Sequence, residues 1–234
     1  MQETKKLTRK IEGWLGEGEG SLLYSLAKNC KGHGVIVEIG SWKGKSTVWL
    51  SRGSKAGKKA KVYAVDTHKG SAEHGKVRTF DDFRKNIKKA GVSDIVVPIV
   101  KTSKQAAKNF NKPVELIFFD GSHDFKSVSE DFDNWFPKII EGGYVAFHDS
   151  VGGWPGPMKL VEEKVFRSNN FKDVGFIEAT VYAQKVETNS LYDRLRSFYI
   201  LLLKKLYEGG ARIYYHWYLP DFAVSLGKKL LKFQ

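Results

Sequence analysis

The sequence predicts an α/β protein built on a doubly wound, mostly parallel sheet, and two observations carry that expectation. Five short apolar runs, each closing near a glycine or an acid, alternate with helix-like stretches. Two further runs then follow so closely that no crossover fits between them. Alternating strand and helix implies parallel βαβ units with right-handed crossovers. Adjacent strands without room for a crossover must pair antiparallel. Seven strands are therefore expected, five parallel and then a C-terminal antiparallel β-hairpin.

The elements follow in order. Residues 1–32 form an N-terminal helical segment, and the main domain is expected over 33–186. The five runs are GVIVEIG (34–40), KVYAVDT (61–67), IVVPIV (95–100), VELIFFDG (114–121) and GGYVAFHDS (142–150). Pro98 lacks the N–H that a ladder needs, which places the third run at a sheet edge. The clearest helix is 122–139, where Phe125, Val128, Phe132, Trp135, Phe136 and Ile139 recur at helical spacing. A loop, GGWPGP (152–157), leads into a helix, MKLVEEKVF, and the hairpin is FKDVGFIEA with TVYAQKV.

From about Glu187 the composition shifts. The extension over 187–234 carries Tyr192, Phe198, Tyr199, Tyr207, Tyr214, Tyr215, Trp217 and Tyr218 beside lysines and arginines, and FYILLLKKLY has the pattern of an amphipathic helix. Two readings of this α-helical, basic and aromatic tail stand. It packs on the core or on a second subunit of a homo-oligomer, or it lies at a membrane interface with its basic residues toward anionic lipid.

Composition narrows the function classes. A chain of 234 residues suits one full α/β domain with additions, and 41% hydrophobic content supports a real core. Cys30 is the single cysteine, so no internal disulfide forms and a reducing compartment is expected. No apolar stretch follows MQETKKLTRK and no run of about 18 apolar residues occurs, so neither a signal peptide nor a spanning helix is expected. The expected location is cytoplasmic, with a peripheral membrane position left open. The net charge of +13 suits nucleic acid, an anionic membrane surface, an acidic substrate or simply a lysine-rich solvated face. Without a recognition helix, a zinc finger or an aromatic RNA-binding strand, nucleic acid is the weakest of these.

The segment EIGSWKGKST (38–47) ends like a phosphate-binding loop, and FFD resembles the magnesium-holding strand of an NTPase. A P-loop needs four residues between its first glycine and the GK pair. Gly40 and Gly44 enclose three, Ser41, Trp42 and Lys43. A dinucleotide fingerprint fails as well, because Trp42 stands where the second glycine must let the backbone reach a pyrophosphate. The pattern that fits is acid-x-Gly-x-x-x-Gly, suited to an adenosyl ligand that carries an amino acid. Gly40 permits the turn and Gly44 brings the helix start close to the strand. Glu38 is expected near the ligand's ammonium, and the helix start with Ser46 receives its carboxylate. Asp66, followed by Thr67, ends the second strand where an acid accepts both ribose hydroxyls.

Together, VEIGSWKGKST, YAVDT and FFDGSHDFKSVSEDFDNWFPKIIEGGYVAFHDS resemble the class I S-adenosylmethionine-dependent methyltransferases. The DGSH…GGYVAFHDS pair is similar to the small-molecule O-methyltransferase branch, including sugar and macrolide enzymes and, more distantly, catechol O-methyltransferases. The likeness covers roughly 33–186 and implies a Rossmann-like sheet with S-adenosylmethionine as cofactor. It implies cofactor contacts at Glu38, Gly40, Ser41, Trp42, Gly44, Ser46, Asp66, Thr67, Ser103 and Asp120, with Ser103 near the adenine or capping the next helix. It also implies metal ligands at Asp120, His148 and Asp149, where a histidine replaces one member of the family's acid–amide pair. Magnesium prefers oxygen donors, whereas imidazole suits manganese, iron or zinc. Asp120 and His123 are the implied catalytic residues, with His123 as base.

Methyl transfer from a sulfonium needs an acceptor held in line, and deprotonation where the acceptor is a hydroxyl. His68, His74, His123 and His148 are expected to converge on one sheet edge, flanked by the loops THKGSAEHGKVRT and GGWPGP as lids. The expected activity is methyl transfer to a hydroxyl of a small molecule, sugar or glycolipid, with a divalent metal as an option. In that reading Lys45 is solvated; a nucleotide-binding P-loop-like NTPase, whose ligand binding would depend on Lys45, and a non-catalytic membrane-surface module are the alternatives.

Overall fold

The computed structural model describes residues 1–71 and 75–217, with side chains described outside 211–217. His74 and Tyr218, both singled out in the sequence, lie outside the described residues. Two helices open the chain, α1 (Gln2–Thr8) and α2 (Glu17–Asn29). They are followed by β1 (Val35–Ile39), α3 (Lys45–Ala56), β2 (Val62–Val65), the two-residue strands β3 (Gly70–Ser71) and β4 (Gly75–Lys76), and α4 (Phe80–Lys89). Next come β5 (Val96–Ile99), α5 (Ser103–Lys108), β6 (Val114–Phe119), α6 (Phe125–Trp135) and β7 (Ile139–Phe147). Helix α7 (Pro155–Val161), the hairpin β8 (Phe171–Ile177) and β9 (Thr180–Lys185), and α8 (Leu191–Trp217) complete it.

The sheet is seven-stranded in the order β5-β2-β1-β6-β7-β9-β8, while β3 and β4 pair by themselves. Strands β5, β2, β1, β6 and β7 run parallel, and β9 is antiparallel to both β7 and β8. This is the Rossmann-like sheet that the apolar runs predict. Pro98 sits in β5 at the sheet edge, facing Ala64 of β2. All six residues of β6 are buried, as a central strand covered on both faces requires. Its one charge, Glu115, accepts backbone N–H groups from Lys31, Gly32, His33 and Gly34 in the turn before β1. Four amides thus neutralise an acid that would otherwise be costly to bury.

Alternation along each strand divides the core. Val37, Ile39, Ile117, Phe119 and Phe147 face Phe132, Trp135, Leu160 and Ile200 of α6, α7 and α8. Ile36, Val62, Leu116, Phe118 and Ala146 face Leu23, Trp49 and Phe83 of α2, α3 and α4.

The bounds of three elements differ from the sequence expectation. The helix expected over 122–139 begins at Phe125, because Asp124 accepts the Ser127 N–H at 2.9 Å as its cap. It ends at Trp135 and gives way to a 3-10 turn, Phe136–Lys138, since Pro137 removes a donor and its ring crowds the preceding turn. Strand β7 therefore starts at Ile139, three residues early, bends at Gly142 (φ +77°) and stops at Phe147. His148 and Asp149 stand just beyond it. The GGWPGP loop is likewise cut short, for Pro155 supplies the first residue of α7.

Helices α2 and α3 pack backbone to backbone at Gly53. A Cβ on Gly53 would lie 2.3 Å from the Tyr24 carbonyl oxygen. Gly53→Ala must push the two helices apart, and overpacking of this kind costs about 1–3 kcal/mol. Thermal denaturation should show the melting temperature lowered by several degrees.

Candidate active site

A cavity of about 620 Å3 opens at the carboxyl ends of β1, β2, β6 and β7. There the strand order reverses between β1 and β6, the place where open α/β sheets bind ligands. Its walls include Gly40, Ser41, Trp42, Ser46, Asp66, Thr67, Ser103, Asp120, His123, His148 and Asp149.

One side is the turn from β1 into α3. Gly40 has φ +86°, and a Cβ there would sit 2.0 Å from the Asp120 carbonyl oxygen, so only glycine fits. Gly44, also left-handed at φ +87°, is the N-cap of α3, and its N–H donates to the Ser41 carbonyl at 2.7 Å. Asp66 Oδ2 accepts the N–H groups of Ser41 (3.0 Å) and Trp42 (2.7 Å), and Oδ1 accepts that of His68 (2.7 Å). The acid at the end of β2 thereby braces the turn while facing the cavity.

The other side is an acid–imidazole cluster. His148 Nδ1 lies 3.0 Å from both Asp120 Oδ1 and Asp149 Oδ2, and its Nε2 lies 3.4 Å from Glu19 Oε1. Glu19 comes from α2 and is itself held: Thr180 Oγ1 donates to Oε1 at 2.7 Å and the Gly16 N–H to Oε2 at 2.8 Å. His123 Nε2 lies 3.0 Å from Asp149 Oδ2, and its ring stacks on Trp154 with centroids 4.3 Å apart. Burial opposes a charge on His148, but Asp120, Asp149 and Glu19 outweigh it and hold the imidazole far above its ordinary pKa. Burial likewise raises the Asp120 carboxyl.

A family profile described as "Methyltransferase domain" matches residues 37–150. The chain carries a methyltransferase domain. The matched stretch begins inside β1 and ends just after the His148–Asp149 pair. In overall shape the domain is similar to the O-methyltransferase NovP (17% identity, 80% of this chain and 89% of that chain, TM-score 0.64). It is also similar to the O-methyltransferase TomG of Streptomyces achromogenes, solved with S-adenosylmethionine (17% identity, 79% and 88%, TM-score 0.59). A third similar structure is the O-methyltransferase of Bacillus cereus bound to S-adenosylhomocysteine (19% identity, 79% and 90%, TM-score 0.57). At these identities the likeness establishes a shared fold. Among curated proteins, an uncharacterized protein of Sinorhizobium fredii, y4gI, is 31% identical over 124 residues, and the match spans 13% of that protein.

Four sequence expectations about the methyltransferase domain need correction. Glu38 does not line the cavity: it is fully buried on the α3 side of β1, accepting a hydrogen bond from Thr47. Strand alternation turns its side chain under the loop, away from any ligand. Lys45 is not solvated, since its Nζ donates to the Gly13 carbonyl at 2.7 Å. Ser103 is not the cap of α5. Thr102 caps it in a box with Gln105, and the Ser103 hydroxyl accepts the Trp135 indole N–H at 2.9 Å. His68 turns away from the cavity into α4, with Nδ1 2.9 Å from Thr79 Oγ1 and its ring between Phe80 and Phe83. Of the four histidines expected at one edge, His123 and His148 line the cavity.

The structure also adds residues that the sequence did not reveal. Glu12, Gly13, Trp14 and Leu15 bring the N-terminal segment to the cavity wall, with Trp14 packed on Trp42 at 5.9 Å. Asp131 lines the wall, and burial lifts its carboxyl to about 6. It lies on the polar side of α6, where helical periodicity makes it look like an ordinary solvated acid. Glu19 reads locally as a helix-capping acid bonded to the Gly16 N–H, because the partners that tie it to the site lie on β9 and just beyond β7.

Burial pushes the Glu38 carboxyl up to about 8, against hydrogen bonds from Ser46 and Thr47. Its folded pKa stands above the unfolded one, so its contribution to stability is complete below about pH 4.5 and is lost as pH rises through about 8. Wild-type protein should lose several degrees of melting temperature across that window. Glu38→Gln, which cannot ionise, should lose less, and parallel melting curves for the two proteins would count against a neutral buried Glu38.

Proposed function

We propose that this domain binds S-adenosylmethionine in the cavity and transfers its methyl group to a hydroxyl of a small molecule, sugar or glycolipid. One observation carries the reading: the acid-x-Gly-x-x-x-Gly turn braced by Asp66 faces the cluster of Asp120, His123, His148 and Asp149 across one cavity. The cofactors present in the TomG and Bacillus cereus structures support the choice of ligand. The Gly40–Gly44 turn, with Ser41, Trp42 and Ser46, takes the methionine moiety, and the N-terminus of α3 favours its carboxylate. Asp66 and Thr67 take the ribose, Ser103 lies toward the adenine, and Asp120 closes the methyl end. Lys45, which a phosphate loop would aim at its ligand, is committed to the Gly13 carbonyl.

His123 receives the acceptor's proton, and Asp149 beside its Nε2 stabilises the resulting imidazolium, as in other acid-supported histidine bases. Trp154 fixes the plane of the ring.

The donor set also fits a divalent metal. Asp120, His148 and Asp149 offer ligand atoms within 4.8 Å of one another. Nδ1 of His148 is buried 3.0 Å from two carboxylate oxygens, yet makes a hydrogen bond of proper geometry to neither. Without an ion the surrounding acids keep this imidazole protonated; to hold a metal it would give up the Nδ1 proton and offer the lone pair. Nε2 on the far side faces Glu19, as carboxylates behind metal-binding histidines do. Two carboxylates with one imidazole favour manganese, iron or zinc over magnesium. A bound ion would lower the acceptor hydroxyl's pKa and orient it.

Titration calorimetry with S-adenosylhomocysteine tests the cofactor site. Micromolar binding is expected, weakened at least tenfold in Asp66→Ala, whereas no heat at sub-millimolar ligand would sink the proposal. Dialysis against a chelator tests the metal. Methyl transfer should fall and return best with manganese, while S-adenosylhomocysteine affinity stays unchanged. Full activity in thoroughly chelated protein would leave His123 as the whole of the acid–base apparatus.

A further inference from the structure

Helix α8 is apolar on two sides. Ser197, Ile200, Leu201 and Lys204 are buried against the body of the protein, and Arg196 donates to the Val174 carbonyl of β8 at 2.9 Å. Seven large side chains point the opposite way: Leu191, Tyr192, Leu195, Phe198, Tyr199, Leu202 and Leu206. Their exposures run from 48% at Leu202 to 74% at Tyr192. At 100° per residue these seven fall within an arc of roughly 120°, with no charge inside it. Exposed Arg194 and Lys205 run along one margin of the arc. A continuous apolar face of this size marks an interaction surface.

Charge selects the occupant. Arg194 and Lys205, the latter also 3.2 Å from Glu162, are the exposed basic residues beside the face, in a chain of net charge +13. A second copy would set these like charges against one another, whereas an anionic lipid surface attracts them. Tyr192 and Tyr199 on the exposed face have the amphipathic form that lipid headgroups accommodate. Among the described residues no helix is long and apolar enough to cross a membrane, so the contact lies along the surface.

The same helix touches the loop that carries Trp154 to the cavity wall. Glu208 Oε1 accepts the Gly152 N–H at 3.1 Å and is held by buried Lys204 at 2.6 Å. Gly152 lies two residues before Trp154, the residue stacked on His123. We infer that α8 docks the protein on an anionic lipid surface through the Leu191–Leu206 face, and that the methyl acceptor is presented from that surface. The second half rests on the proposed methyl transfer.

Co-sedimentation of the full chain with phosphatidylcholine vesicles, with and without phosphatidylglycerol, tests the docking. Binding is expected to the anionic vesicles alone and to weaken as salt screens the charges. The triple variant Leu195→Glu, Phe198→Glu, Leu202→Glu should lose at least tenfold in vesicle binding, with S-adenosylhomocysteine affinity and melting temperature unchanged. Equal binding by the variant, or none by the wild type, overturns the proposal. So does a wild-type dimer by light scattering that the variant dissolves without any vesicle effect, which would make the face a contact between copies. A lowered melting temperature without vesicle binding overturns it too, because the chain itself would then cover the face. For the acceptor, methyl-labelled S-adenosylmethionine and a total lipid extract from the source cells should give label in the organic phase, lost in the triple variant. Label that stays in water-soluble product, equally for both proteins, overturns that half. Absence of S-adenosylhomocysteine binding would instead signal failure of the methyltransferase reading.

Discussion

The turn after β1 and the end of β6 touch where a side chain would have to occupy the same space as the Asp120 carbonyl. That contact brings the glycine turn and the acidic end of β6 to one point, and the rest of the cavity is arranged around it. Asp120 serves twice. Its backbone fixes how closely the turn approaches, and its side chain begins the cluster that continues through His148 and Asp149. Asp66 holds the turn from the other side through two amides. The phosphate-loop appearance of the segment dissolves in this geometry. Three residues between the glycines are enough because the turn wraps around a neighbouring strand end and a carboxylate, with no need to form a nest for an anion.

Much of the fold was legible because its signals are local. Apolar runs ending in acids predicted the parallel strands, the short gap between FKDVGFIEA and TVYAQKV predicted the hairpin, and Pro98 predicted the edge. Boundaries slipped where proline chemistry acts over one or two residues, at Pro137 and Pro155. Within the site, Gly40, Asp66, Asp120 and Asp149 line one cavity because strand polarity alone sends strand ends to one edge. Glu38 was misplaced because a motif states spacing without stating which face of the strand a side chain takes. His68 failed for a related reason: a left-handed residue (φ +54°) sent its ring into α4.

Non-local residues stayed invisible. Glu19 and Trp14 belong to a segment that the sequence marks only as helical, outside the matched stretch 37–150. They nonetheless contribute a carboxylate to His148 and an aromatic wall beside Trp42. Residues inside the matched stretch thus meet residues outside it at the cavity. Trp154 and the Glu208–Gly152 tie repeat the pattern beside His123.

The position of Glu19 has a consequence for how the chain acquires its site. The residue is near the start of the polypeptide, yet it bonds Thr180 across 161 positions of sequence. Until the hairpin has added to the sheet, its carboxylate has neither the hydroxyl nor the imidazole that makes its burial tolerable. Contacts so distant in sequence form late and slowly. During synthesis the first helices must therefore wait for nearly the whole domain to emerge before α2 can seal against the cavity. Completion of the catalytic pocket and completion of the sheet become one folding event.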